Sequence, residues 1–266
     1  GSGQFSPNSS LSEVQLLTGA PSLNLQNSPF LGVPTNYPIE IDGVTISIDD
    51  SLYVHANSAF TLNNTSIKAS AGFVSSGDLD VSASDFDNNA SISFYTLSDL
   101  SVYNSDFDGN TSLAFESLGD IDIRNTGIYA NAWLDIYASG DFYFYNSDLI
   151  GNSPFSNTQN YTYAEVSALS YFTMTAQGDI YVYNSSIDEN GPFDLISYAG
   201  DVSLENSDFI GNLYPYIESE SGDVFIVNSS VLYNEFIDVY TKGDAIIDGS
   251  DVAGNDLVIG SEQGDV

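Results

Sequence analysis

Cysteine is absent from the 266 residues, and with it go disulfides, thiolate chemistry and every cysteine-based zinc or iron–sulfur site. Positive charge is almost absent too: Lys68, Arg124 and Lys242 stand against 37 acidic residues, for a formal net charge of −34. So few cations cannot neutralise a run of phosphates, which excludes nucleic acid as a partner, and anionic membrane surfaces are excluded on the same ground. No stretch approaches the roughly 18 consecutive apolar residues that a membrane-spanning helix needs, so the chain is not expected to be membrane-embedded. Gly1 to Gly3 open no signal-peptide pattern, which points to a removed export signal or an excised segment. Acidity almost without lysine, together with abundant Ser, Asn, Gly and Tyr, is the balance of a surface protein, and the expected location is extracellular or on the cell surface.

What is present is enough apolar material for a core, 42% of residues with 13% aromatic, so the acidity does not mean disorder. It is also periodic. Gly-Asp pairs, or a close variant, end in Asp78, Asp99, Asp120, Asp141, Asp179, Asp201, Asp223, Asp244 and Asp265, at spacings of 21, 21, 21, 38, 22, 22, 21 and 21. The one exception is a period plus 17 residues, which reads as an inserted loop at about 153–169.

Each unit repeats the same grammar. One and three residues past the Asp come apolar side chains, as in Leu79 and Val81, Leu100 and Val102, or Ile121 and Ile123; this is the two-residue period of a strand with one buried face. Six past it lies a hydroxyl (Ser84, Ser105, Thr126, Ser147, Ser185, Ser207, Ser229, Ser250), and eight past it an apolar residue such as Phe86, Phe107 or Ile128. Eleven past it lies Asn every time: Asn89, Asn110, Asn131, Asn152, Asn190, Asn212, Asn234 and Asn255. A second apolar pair follows near fourteen and sixteen, as in Ile92 and Phe94.

A unit this small cannot bury its own apolar face and must stack on a copy of itself. The expected fold is therefore all-β: a right-handed, single-stranded parallel β-helix of about ten coils of roughly 21 residues, a rod on the order of 50 Å long at about 4.8 Å per coil. Gly, which tolerates positive φ, and Asn and Asp, which accept left-handed conformations, mark the corners, and stacked Asn side chains can bond to one another up the rod as a structural ladder. Residues 1–38 hold five of the eight prolines and little alternation, and are expected to be an N-terminal arm or cap, with the helix covering 39–266.

The grammar Gly-Asp-[Ile/Val/Leu]-x-[Val/Ile]-x-Asn-Ser-x-[Phe/Ile]-x-x-Asn, seen at Gly119 to Asn131 and Gly200 to Asn212, resembles the repeats of filamentous-haemagglutinin-type exoproteins and the wider pectin-lyase-like β-helix superfamily. That resemblance implies a secreted β-helix used in adhesion, surface attachment or matrix. The superfamily also contains polysaccharide lyases and hydrolases, so catalysis has to be argued from residues. Its lyases use Arg or Lys near calcium, whereas here the three cations are scattered and the surface would repel a polyanion. The Gly-His-Gly and Arg-Ile-Lys motifs of its hydrolases are missing, and His55, the single histidine, lies beside no catalytic signature. No catalytic residue is assigned and no cofactor is required; a glycan-cleaving enzyme on a neutral polysaccharide is the alternative, and an ice- or mineral-binding solenoid ranks below it.

Two outward features remain. A column of ionised Asp, with Asp78, Asp99, Asp120 and Asp141 as its members, would set like charges about 4.8 Å apart at a cost on the order of 1 kcal/mol per neighbour in water. Weak, distributed Ca²⁺ binding would relieve it, although a solvated acidic face is the simpler reading. Aromatic residues occupy the positions two and four past the Asp that should face away from the core: Tyr103, Tyr143, Tyr145, Tyr181, Tyr183 and Phe225, with Arg124 between Tyr103 and Tyr145. Such a stripe can contact glycans, form a subunit interface in end-to-end or lateral self-assembly, or stiffen the sheet through cross-strand pairs. Asn-x-Ser/Thr sequons fall at Asn8, Asn63, Asn64, Asn89, Asn110, Asn160, Asn184 and Asn228, most of them a by-product of the repeat. The expected function is mechanical: a subunit or segment of a surface filament, sheath or adhesin.

Overall fold

The computed structural model describes residues 39–43, 45–47, 52–152, 172–254 and 256–266, together with the short strands Leu23–Asn24 and Leu31–Gly32. The inserted loop, Asn255 and most of the N-terminal arm lie outside the described residues. Every described pairing is parallel, and strands assemble into three sheets of ten, eleven and eleven strands, in agreement with the count of about ten coils. Each coil contributes one strand to each sheet. The first sheet takes the four residues after the Gly-Asp corner, such as Leu100–Tyr103; the second takes three, such as Asp106–Asp108; the third takes five, such as Leu113–Ser117. Leu23–Asn24 and Leu31–Gly32 pair with Thr45–Ser47 and Leu52–Ala56, so the second and third sheets extend below residue 39.

The predicted register holds along the rod: Leu79, Leu100, Ile121, Phe142, Ile180, Val202, Val224 and Ala245 are successive partners in the first sheet. Burial alternates with them, because in a strand every second side chain points to the same face. Inside, the aromatic residues stack coil upon coil. Phe73, Phe94 and Phe115 lie with ring centroids 5.2 and 5.3 Å apart and nearly parallel, and Phe86 and Phe107 repeat this at 4.7 Å on the neighbouring sheet. The two stacks meet edge to face, as where Phe107 meets Phe115 at 5.2 Å, the arrangement that the ring quadrupole favours. Among the described residues no helix is long and apolar enough to cross a membrane.

The corners show why the period is kept. Five residues past the Asp the chain takes a left-handed step with φ near 50°, at Asn104, Asn125, Asn146, Asn184, Asn206 and Asn228, with Gly249 continuing the column. Ten past it comes a second, at Asn88, Gly109, Gly151 and Gly211 among others. Gly suits these positions because it has no Cβ to crowd the following carbonyl, and Asn because its short amide can bond to the nearby backbone.

The expectation that the Gly of Gly-Asp supplies positive φ is corrected. Gly119, Gly140, Gly178 and Gly222 are not in the left-handed region; instead, a Cβ on each would come within 2.1, 2.0, 2.0 and 2.2 Å of the Asp Oδ1 of the preceding coil. Glycine is favoured at these four positions because the carboxylate lies where a Cβ would stand. Ser98 holds the glycine position one coil earlier, and its hydroxyl donates to that carboxylate, Asp78 Oδ1, at 2.5 Å.

Candidate functional site

The side chains singled out by the repeat form ladders, and each ladder closes a different gap between coils. The Asn column is buried, from 0% exposure at Asn131 to 4% at Asn89. The backbone N–H of Asn110 and its Nδ2 both donate to Oδ1 of Asn131, at 3.0 and 2.9 Å, and Asn131 donates likewise to Asn152. The second Nδ2 proton reaches the Phe107 carbonyl from Asn131 at 3.0 Å. One amide side chain thus takes the corner N–H of the coil below and adds a donor to a carbonyl inside a second-sheet strand. The hydroxyl column behaves similarly: the N–H of Ser84 donates to Ser105 Oγ and that of Thr126 to Ser147 Oγ, at 3.2 and 3.1 Å.

The Asp column stays exposed or half-exposed, with one carboxylate oxygen of each side chain bonded along the rod. Asp99 Oδ1 accepts the backbone N–H of Asp120 at 3.0 Å, and the pattern runs on through Asp120, Asp141, Asp179, Asp201, Asp223 and Asp244 to Asp265. This ladder points the other way from the Asn ladder, since its donors sit in the later coil. A carboxylate acceptor makes each of these bonds stronger than one between neutral groups. Among the described residues no three acidic side chains come together in a way that would hold a metal ion.

Arg124 sits between Tyr103 and Tyr145 in register, with its guanidinium carbon 5.1 Å from the Tyr145 ring centroid. Its Nε donates to Asp122 Oδ1 at 2.7 Å, and Tyr103 donates its hydroxyl to the other oxygen at 3.0 Å. Tyr143 and Tyr181 stack 5.3 Å apart and almost parallel, and their hydroxyls donate to Asp141 and Asp179 at 2.8 and 2.7 Å. The hydrogen bond to Asp179, with burial adding to it, pushes the Tyr181 phenol up to about 12; burial first and then the Asp141 bond raise Tyr143 as well. Each of these carboxylates therefore ties a phenol on one oxygen and the next coil's amide on the other. Tyr145 and Tyr183 meet edge to face at 6.0 Å, and Tyr183 is 43% exposed.

Tyr103, Arg124, Tyr143, Tyr145, Tyr181 and Tyr183 thus form one patch over four successive strands of the first sheet. Phe225 does not join it. It shares the Tyr181 column, but Ser203 lies between them and bonds to Glu205 at 3.1 Å. Within the patch the Tyr143 and Tyr181 faces cover each other, which is the cross-strand reading of the stripe, while Tyr183 and Arg124 keep open surface.

Two features lay outside the sequence reading. A hydroxyl eighteen residues past the Asp, at Thr96, Ser117, Ser197, Ser219 and Thr241, is buried and donates to a corner carbonyl one coil back; the bonds from Thr96, Ser197, Ser219 and Thr241 measure 2.5, 2.7, 2.8 and 2.6 Å. The column is interrupted by Ala138 and Ala176, which hid its regularity. The third sheet also carries outward tyrosines. Tyr216 and Tyr240 lie 5.8 Å apart under a groove of about 540 Å³ rimmed by Glu218, Glu220, Lys242 and Glu262. Their spacing along the chain alternates between two outward positions, so no single offset reveals them.

No protein family, curated protein or solved structure matches the chain. The class that the fold defines is the parallel β-solenoid, all-β and with three sheets.

Proposed function

We propose that this protein is a secreted structural or adhesive rod, a stiff subunit or segment of a surface filament, sheath or adhesin. The observation that carries the reading is the ladder system. Asn, Ser/Thr and Asp side chains hydrogen-bond each coil to the next, and among the described residues no buried side-chain nitrogen or oxygen lacks a partner. A stack bonded by side chains as well as backbone resists bending and unravelling, which is the property a spacer or filament needs. The charge of −34 supports exposure to a salty medium, where screening shortens the reach of self-repulsion. The likeness of the repeat to filamentous-haemagglutinin-type exoproteins supports export and attachment. The partners we propose are further copies of the chain, end to end or side by side, and glycans at the open part of the tyrosine patch.

Two measurements test this. Electron microscopy of the purified protein should show straight rods or filaments, and antibody against it should label intact cells of the producing organism. Protein confined to the cell interior would overturn the reading. Release of reducing sugar from a neutral polysaccharide would replace it with the enzymatic alternative.

A further inference from the structure

Six of the sequons have their asparagine among the described residues, and the fold separates them into two classes. Asn89 and Asn110 belong to the buried ladder, 4% and 1% exposed, with Nδ2 donated to the carbonyls of Ile67 and Phe86. Asn63 is held from both ends: its Nδ2 donates to Asp42 at 2.8 Å and its Oδ1 accepts from Ser82 at 3.0 Å. Asn64, Asn184 and Asn228 are different. All three are exposed, all three stand at the left-handed corner between the first and second sheets with φ of 50°, and all three are followed two residues later by a hydroxyl that opens a second-sheet strand: Ser66, Ser186 and Ser230.

The same corner holds Asn104, Asn125, Asn146 and Asn206, but there the residue two further on is Asp106, Gly127, Asp148 or Asp208. The corner thus presents asparagine along much of the rod and completes the acceptor sequence at three points. Because corners align, Asn184 and Asn228 stand two coils apart, about 10 Å, and Asn64 five coils below Asn184, about 24 Å, on a single edge.

We propose that Asn64, Asn184 and Asn228 are the N-glycosylation sites of this protein, and that Asn63, Asn89 and Asn110 stay bare in its folded state. In the transfer, Nδ2 forms a bond to the anomeric carbon of a lipid-pyrophosphate-linked oligosaccharide. The bond from that carbon to the pyrophosphate oxygen breaks, the lipid pyrophosphate departs with the electron pair, and Nδ2 gives up one proton. At Asn110 the same bond would remove a ladder proton and force a sugar into the core, whereas at the corner the product projects into solvent. The Asn184 amide does bond to Asn146 Oδ1, at 2.8 Å, but an amide nitrogen carries a second proton and this pair is solvent-exposed. Sugar on this edge would leave the third sheet uncovered, and at Asn184 it would stand directly beside Tyr183 of the tyrosine patch.

Peptide mapping by mass spectrometry of the protein isolated from its own producing organism tests the assignment. The peptides bearing Asn64, Asn184 and Asn228 should carry added sugar mass, and those bearing Asn89 and Asn110 should not. In a Ser186→Ala variant the mass at Asn184 should vanish while the other two remain and the melting temperature stays within a degree or two. Bare asparagine at all three positions, sugar at Asn89 or Asn110 of folded protein, or sugar persisting on Asn184 in the S186A variant would each overturn the proposal.

Discussion

At the scale of single residues, the exacting positions are those where one atom of the next coil decides what fits. Gly140 is such a position, with Asp120 Oδ1 occupying the place of its missing Cβ. Gly140→Ala should cost about 2 kcal/mol by thermal or urea unfolding, through a displaced carboxylate and a lengthened Asp120–Asp141 bond. Gly140→Ser should cost less, because the hydroxyl can donate to the carboxylate it displaces, as Ser98 does to Asp78. Asp188 tests electrostatics. Its partial burial, with help from Asp208, Glu189 and Asp148, pushes its carboxyl up to about 6, against a lowering bond from the Ile210 amide. A carboxyl raised on folding stabilises below its unfolded value of 3.8, and that contribution is lost as pH rises through about 6. Asp188→Asn keeps the Oδ1 acceptor and removes the charge. It should therefore stabilise the fold at pH 7.5 by about 1 kcal/mol, after discount for its solvent exposure, with the gain gone near pH 4. Equal stability of the two proteins at neutral pH would remove this account.

At the scale of the coil, the ladders bind one turn to the next. Asn131→Ala deletes an acceptor used by both Asn110 donors and leaves the Phe107 carbonyl without its Nδ2 partner, all in a fully buried site. Leaving buried groups unpaired costs about 1–3 kcal/mol each, so urea denaturation should show a loss of about 2–4 kcal/mol. An exposed corner substitution such as Asn125→Gly, which keeps the φ of 51° accessible, should cost a few tenths of a kcal/mol at most. The period of the ladder was plain in the sequence because Asn recurs at one offset in every unit. The hydroxyl ladder at eighteen was not, since alanine fills two of its places and breaks the count. The reason for Gly before Asp was equally hidden, because it lies in a contact between residues a full coil apart rather than in the glycine's own backbone.

At the scale of the whole rod, charge is the term that no single contact offsets. With 37 acidic residues and three basic ones, self-repulsion should weaken the fold in low salt. Raising sodium chloride to about 0.1 M, where the screening length is about 10 Å, should lift the melting temperature. Calcium and magnesium at equal ionic strength should lift it alike, since among the described residues no carboxylates gather into a metal-holding group. A rise specific to calcium would instead establish bound ions along the Asp column. The tyrosine patch belongs to this scale as well: it exists because four successive strands bring Tyr103, Arg124, Tyr145 and Tyr183 into one line.

Sequence alone determined the parallel stacking, the coil length and the inward set, because a unit of about 21 residues with three short apolar stretches has no way to bury them except against its own copies. Tertiary structure decided which polar residues those copies enclose. Asn110 and Asn104 are both corner asparagines in the sequence, yet one lies inside the wall and bonds up the rod while the other stands at a positive-φ turn. Periodicity assigns a residue its place in the coil; only the coil above and below assigns its side chain a direction, a partner and an exposure.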